Sequence, residues 1–347
     1  MSPTAPGSGG SRRRAAVTLV DVAREAGCSV SLASIVFRDA PGASDATRVR
    51  VRAAAERIGY RPDSRARWLR RAQSGLIGVV FNVRQQFHAG LVEGLYQAAE
   101  TMPDIDLALA AVYPGRDDAR AAEGLLRERC EALIMIGPFI PTGRIARLAQ
   151  EVPVVVVARA LRAPSVDRVR VDDRRGCALA VDHLVSLGHT RIAHVDGGDA
   201  PGAAERRRGY LQRMRAHGLE EFADVIGGGA TAHDGAVAGR VLLQREPRPT
   251  AVAVFNDLAA IGLMNWLGFH GVRAPEAVSI TGFDDTAEAA GATVPLTSVS
   301  QELELMTSTA LTRAVDRARG RCEPGEVVIE PRLVVRDSCA PYSGSGD

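Results

Sequence analysis

The sequence predicts two unlike parts: a small all-α head, then an α/β body of two lobes, each a parallel sheet flanked by helices. Two observations carry this. Over residues 17–60 three short helical stretches follow one another, with capping residues at their starts and glycines at their ends. After Ser74 short β-rich runs alternate with helical stretches almost to the end of the chain, the alternation that builds a parallel sheet with crossover helices. At 347 residues and 46% hydrophobic composition the chain can bury one or two substantial cores, so more than one domain is expected.

In the head, Thr18 followed three residues on by Asp21 is an N-cap signal, and Leu19, Val22, Ala23 and Ala26 form an apolar stripe before Gly27 stops the helix. Ser29 caps a second helix whose Leu32, Ala33 and Val36 can pack on the first, leaving Val30, Ser31 and Ile35 on another face. Two short helices joined by a tight glycine turn are a helix-turn-helix. A third helix starts at Ser44, carries Val49, Ala53 and Ile58, and ends at Gly59; its Arg48, Arg50, Arg52 and Arg57 can reach phosphates.

The net charge of +2 conceals an asymmetry: residues 1–72 hold 14 arginines against 6 acidic residues, the rest 29 against 35. A basic head on an acidic body suits a chain that meets a polyanion with one end. All basic residues are arginine and none lysine, so part of that density is compositional bias. Residues 1–16 read as a disordered basic arm, and no run of apolar residues suggests a membrane span or secretory signal, so a cytoplasmic location is expected. The five cysteines (Cys28, Cys130, Cys177, Cys322 and Cys339) are odd in number and widely spaced, which fits reduced packing thiols and neither a disulfide framework nor a zinc site.

Several stretches resemble the lactose-repressor (LacI/GalR) family: VTLVDVAREAGCS at 17–29, SDATRVRV at 44–51, IGYRPD at 58–63, GHTRI at 188–192, FND at 255–257, VSITGFDD at 278–285 and PRLVVRDS at 331–338. The resemblance spans nearly everything from Val17 to Ser338. It implies a DNA-binding transcriptional regulator, most often a repressor, with a helix-turn-helix headpiece (17–60), a hinge (61–73) and a periplasmic-binding-protein-like effector domain (74–338). It also implies a homodimer that reads a pseudo-palindromic operator through the second helix. Residues expected at the DNA are Thr18, Leu19, Ser29, Val30, Ser31, Leu32, Ser34, Ile35, Arg38, Arg48 and Tyr60. In the hinge, Leu69 matches the leucine that the family wedges into a kinked minor groove, with Arg65 and Ala66 beside it. The sequence departs from the family pattern in the recognition helix: Ile35 replaces the groove-reading arginine and Leu32 a threonine. Without that guanidinium a bidentate donor to guanine is lost, so the operator should differ from the common family site.

In the body, strands are expected at 76–81, 107–112, 133–136 and 154–157, and then at 192–195, 225–226, 251–255 and 278–281. This gives an N-lobe of about 74–160 with 300–320 and a C-lobe of about 161–295 with 325–338. Ligands of such sheets sit beyond the strand C-termini. Those positions hold Gln86, Phe87, His88, Arg159, Arg206, Asn256, Asp257, Phe283, Asp284 and Asp285. The resemblance makes Asp257 an effector-contacting aspartate, Arg206 the effector-binding arginine and Phe87 a ring that stacks on the ligand. Asp284 and Asp285 can be a structural turn, as in the family, or a paired acid site.

Nothing indicates an enzyme: Gly-x-Ser-x-Gly, Walker and His-Glu-x-x-His motifs are all missing, and neither cofactor nor metal is expected. The effector is expected to be a small molecule, most often a carbohydrate in this family; a sugar-binding module with no DNA role is the competing reading. Residues 339–347 carry no leucine heptads and are expected to be a disordered tail, consistent with a dimer and not a tetramer.

Overall fold

A computed structural model describes residues 17–37, 40–60 and 74–344. Arg38, Arg65, Ala66 and Leu69, the hinge and the N-terminal arm lie outside these residues. The chain divides into two compact units, Met1–Ser74 and Gly75–Asp347.

The head holds α1 (Leu19–Glu25), α2 (Val30–Phe37) and α3 (Asp45–Ile58). Its core is Val22, Ala23, Ala26, Ala33, Val36, Val51, Ala54 and Ala55, closed at one end by the Phe37 and Tyr60 rings, 5.4 Å apart. Small side chains dominate, so three short helices can approach closely. The buried face of α3 differs from the expected one. Val51, Ala54, Ala55 and Ile58 face inward at i, i+3, i+4 and i+7, whereas Val49 is 69% exposed. Gly27, at φ 62°, makes the turn that a residue with a Cβ would strain.

The body contains two six-stranded sheets. The first has the order β11-β5-β4-β3-β1-β2 and is parallel throughout: β1 (Leu76–Asn82), β2 (Asp106–Val112), β3 (Ala132–Ile136), β4 (Val154–Val157), β5 (Asp167–Val171) and β11 (Glu326–Ile329). The second has the order β12-β10-β9-β8-β6-β7: β6 (Ile192–Val195), β7 (Asp224–Ile226), β8 (Ala251–Val254), β9 (Ser279–Asp284), β10 (Thr297–Ser300) and β12 (Arg332–Val334). Only β12 is antiparallel to its neighbour. Strands β3 and β4, ALIMI and VVVV, are buried at every position, as sheets covered on both faces require. Each valine, leucine, isoleucine or methionine side chain among them contributes about 1.5–3 kcal/mol by leaving water.

Helices α4 (Gln86–Glu100), α5 (Asp118–Arg127), α6 (Thr142–Glu151) and α12 (Leu303–Ala318) belong to the first lobe. Helices α7 (Asp173–Ser186), α8 (Ala203–Ala216), α9 (Ala232–Leu242), α10 (Asp257–Phe269) and α11 (Ala287–Ala290) belong to the second. Helices α9 and α10 meet through Gly235 and Gly262. A Cβ on either would lie within 2.0 Å of a carbonyl oxygen of the facing helix.

Two expectations are corrected. The expected lobe boundaries misplace 161–171 and 326–329: β5 and β11 pair with each other at the edge of the first sheet. Asp167, fully buried at the start of β5, is held there by Arg313 and Arg317 of α12 and by the Gly325 amide. The chain therefore passes between lobes three times, after β5, β10 and β11. The expected disordered tail is instead held against the second lobe as far as Tyr342. The Ser338 carbonyl accepts from the Ile280 amide, the Ala340 amide donates to the Ser279 hydroxyl, and the Tyr342 amide donates to the Leu187 carbonyl.

Candidate functional site

In the head, the Thr18 hydroxyl accepts from the Asp21 amide at 3.4 Å while Asp21 accepts from the Thr18 amide at 2.9 Å, closing a reciprocal cap on α1. The Thr18 hydroxyl also donates to the Asp21 carboxylate at 2.7 Å, and this bond, with the one from the Thr18 amide, holds the Asp21 carboxyl below its ordinary pKa. The Ser29 hydroxyl accepts from the Leu32 amide at 3.2 Å and so fixes the first turn of α2. With α2 set in this way, Ala33 and Val36 are buried, Ser29, Val30 and Ser31 are exposed, and Leu19, Leu32, Ser34, Ile35 and Tyr60 are half-buried. Three arginines expected to meet phosphates have partners inside the head. Arg48 donates to the Ala40 carbonyl at 2.6 Å, Arg50 to the Ala26 carbonyl at 3.1 Å, and Arg57 pairs with Glu25 at 3.2 Å.

In the body, the carboxyl ends of both sheets face a cavity of about 50 Å³. The first lobe contributes Phe87 and His88 from α4, Phe139 from the loop after β3, and Ala158 after β4; the second contributes Arg206, Phe255, Asn256 and Asp284. Gln301, where the chain returns to the first lobe, also lines it.

Arg206 is the centre of the polar wall and is 5% exposed. Its Nε donates to Asp173 at 2.8 Å and one Nη to the Phe255 carbonyl at 2.7 Å, with Asp284 at 3.7 Å. The Phe283 and Phe255 rings lie on the guanidinium at 3.5 and 4.7 Å. An arginine bound on its edge and stacked on its face has one orientation. Burial pushes the carboxyls of Asp173 and Asp284 up, with the Arg206 charge opposing it in both; at Asp284 the nearby Asp257 adds to the rise. Gln301 donates to Asp284 at 2.7 Å, and its own Oε1 is buried without a partner among the described residues.

Burial also lowers the His88 pKa to about 4, so the ring is neutral at physiological pH. Its Nδ1 accepts from the Asn82 amide at 3.1 Å, which leaves the proton on Nε2. Asn256 caps α10 by accepting from the Ala259 amide and is turned to the Ala230 carbonyl through its NH₂.

Of the positions expected at the cleft, Phe87, His88, Arg206, Asn256 and Asp284 line the cavity. Phe283 is 2% exposed and sits behind Arg206 as its stacking surface. Arg159 lies outside the lining and donates to the Pro138 and Ile140 carbonyls at 2.5 and 2.8 Å. Gln86 also lies outside it, its neighbour Gln85 taking that place. Asp257 is corrected outright. Fully buried at the start of α10, it accepts from the Thr286 amide (2.8 Å), the Thr286 hydroxyl (3.1 Å) and the Ser298 hydroxyl (2.5 Å). It stands so close over Gly282 that a Cβ there would meet its Oδ1 at 2.2 Å. Its oxygens therefore tie α10 to the second sheet.

The acid at the cavity is Asp284. At the end of β9 the chain takes positive φ at Asp284 and Asp285 (121° and 54°); the Asp284 carboxylate lines the cleft while Asp285 pairs with Arg336. His88, one of the expected strand-end positions, lines the cavity as well; Gln301, which follows β10, is a residue that the sequence reading missed, and its place after a strand is the one signal that marks it. No group of three or more His, Cys, Asp or Glu suited to a metal occurs among the described residues.

A helix-turn-helix head on a two-lobed body with a polar cleft defines a ligand-responsive DNA-binding regulator. Residues 18–63 match the family model of bacterial regulatory proteins, lacI family, and residues 181–339 that of the periplasmic binding protein-like domain. The chain is 34% identical over 335 residues to the HTH-type transcriptional regulator GalR of Salmonella typhimurium, covering 95% of this chain and 98% of that one. The lac repressor dimer bound to operator and the anti-inducer ONPF is 26% identical with a TM-score of 0.80, covering 94% of this chain and 100% of that one. A complex of the transcriptional regulator CelR with cellobiose is 29% identical with a TM-score of 0.67, covering 93% and 99%. The chain belongs to the lacI family; it is a DNA-binding transcriptional regulator and not an enzyme.

Proposed function

We propose that this regulator is a cytoplasmic repressor that binds a pseudo-palindromic operator as a homodimer and changes its affinity when a small carbohydrate enters the cleft. The observation that carries the reading is the Arg206 fork, desolvated, stacked on Phe283 and flanked by Asp284, in a cavity that His88 also lines. A buried set of donors and acceptors of this kind rewards hydroxyl groups and strands its own polar atoms against an apolar ligand. The operator and anti-inducer in the lac repressor structure and the cellobiose in CelR support the same division of labour. No described helix is long and apolar enough to cross a membrane.

At the DNA, α2 would present Val30, Ser31 and Ile35 to base edges. Thr18, Leu19, Ser29, Leu32, Ser34 and Tyr60 would lie along its flanks, and Arg48 would brace the loop before α3 while approaching the backbone. Phosphate contact makes log K fall linearly with log salt. Titration of operator DNA across a salt series, with and without a panel of neutral sugars, tests both halves: a flat salt response removes the DNA reading, and affinity unchanged by every sugar removes the carbohydrate reading.

A further inference from the structure

Backbone strain in the body gathers at the cleft. Among the described residues, five that are not glycine take positive φ: Arg129, Ala158, Asp284, Asp285 and Glu302. Ala158 and Asp284 line the cavity, Asp285 adjoins Asp284, and Glu302 (φ 52°, ψ 58°) directly follows Gln301, which lines the cavity too. Left-handed backbone crowds the Cβ of any residue but glycine, and a fold keeps it only where the surrounding structure imposes it. At Glu302 both sides of that structure are visible. Upstream, β10 is fixed by its ladders with β9 and β12, and the Ser300 hydroxyl accepts from the Glu302 amide at 3.2 Å. Downstream, Leu303 is seated on α4, so close that a Cβ on Gly90 or Gly94 would meet its methyl carbons at 3.0 and 2.9 Å. The Glu302 carbonyl then accepts from the Met306 amide and opens α12. Only Gln301 and Glu302 lie between the strand of the second lobe and the helix of the first.

We infer that Glu302 is a positioning residue for the effector site, its left-handed backbone aiming Gln301 at Asp284 where the chain passes from one lobe to the other. This rests on reading the cleft as the effector site. Gln301 is 2% exposed and donates to Asp284 at 2.7 Å, while its Oε1 is buried without a partner among the described residues, which leaves that oxygen to a ligand. With both flanking elements fixed, any other backbone angle at residue 302 has to be compensated at Gln301, and that moves the amide off Asp284. The Glu302 carboxylate contributes less. It pairs with Arg332 of β12 at 3.0 Å, but the arginine side chain is 61% exposed, and ion pairs so exposed add little. Backbone and not charge is the positioning element.

The test joins calorimetry of the full chain with glucose, galactose, ribose and cellobiose to crystal structures of the ligand-free variants. Glu302→Val puts a β-branched residue where positive φ is least tolerated. It should weaken whichever sugar the native protein binds by about tenfold or more, and its crystal structure should show the Gln301 amide displaced from Asp284. Glu302→Gly takes the same angles without steric cost and should stay within about threefold of native, with Gln301 in place. Arg332→Ala, which removes only the exposed ion pair, should also stay within about threefold. In a Gln301→Ala background, Glu302→Val should cost less than about twofold, because the side chain it positions is gone. An undiminished loss in that background would mean that residue 302 supports the fold alone, and would overturn the positioning role. So would a Glu302→Val structure in which Gln301 still meets Asp284. If none of the four sugars binds the native protein, the carbohydrate reading falls, and the two crystal structures by themselves decide the role of Glu302.

Discussion

The guanidinium carbon of Arg206 lies 3.5 Å over the Phe283 ring while its Nε is bonded to Asp173 at 2.8 Å, so one side chain joins an aromatic face, a buried acid and the cleft. Charge alone does not reproduce this. Arg206→Lys keeps the cation but loses the planar fork, and we expect effector affinity to fall by about 2–3 kcal/mol, read by calorimetry. Arg206→Ala also leaves Asp173 and Asp284 in the interior without the guanidinium that offsets their burial, and breaking a buried ion pair costs about 3–5 kcal/mol. Urea unfolding at pH 7 should register that loss; a change below about 1 kcal/mol would show that the two acids do not depend on Arg206.

Asp284 makes stability depend on pH. Its carboxyl, like that of Asp257 beside it, is raised in the folded protein by burial. A carboxyl with a higher pKa folded than unfolded takes up protons on folding, so its contribution is fully present below the unfolded value near 4 and is lost as pH rises through the folded one. The unfolding free energy should therefore decline from mildly acid to neutral pH, and Asp284→Asn should flatten that slope. An unchanged slope in Asp284→Asn would place its origin elsewhere.

What the sequence made legible was local. The caps at Thr18 and Ser44, the glycine turn at Gly27 and the apolar runs of β3 and β4 depend on neighbours within a few residues, and each stands where those residues put it. Pairing across the chain was not legible. The alternating DRVRV of β5 looks like the opening of a second lobe until Glu326–Ile329 is seen beside it and α12 is seen to neutralise Asp167. Two acids, Asp257 and Asp284, follow strands in much the same way. Which of them faces the cleft is decided by the room above Gly282 and by the positive φ at Asp284, both consequences of packing.

Asp257 therefore predicts a fold phenotype. Removing its carboxylate leaves the Thr286 amide and the hydroxyls of Thr286 and Ser298 to find other partners in a closed interior. At about 1–3 kcal/mol for each buried group left unsatisfied, Asp257→Ala should lose about 3 kcal/mol of stability. At a temperature where the variant is still folded, effector affinity should stay within about threefold of native. Affinity lost at unchanged stability, measured by calorimetry and urea unfolding side by side, would return Asp257 to the ligand.

The head gives the sharpest prediction about specificity. Ile35 is half-buried on α2, its Cδ1 directed towards Gly42, while Val30 and Ser31 stand exposed one turn earlier. An aliphatic side chain offers no hydrogen to guanine O6 or N7 and gains instead by contact with a thymine methyl. Ile35→Arg restores a long bidentate donor at that position and meets no wall, because Gly42 has no side chain to block it. The preferred half-site should shift towards guanine at a single position by about 1–3 kcal/mol, with the other positions retained. Selection from a randomised operator library reads this directly. A preference that moves at several positions would mean that α2 has re-docked as a whole, and one that does not move at all would mean that residue 35 does not face the bases.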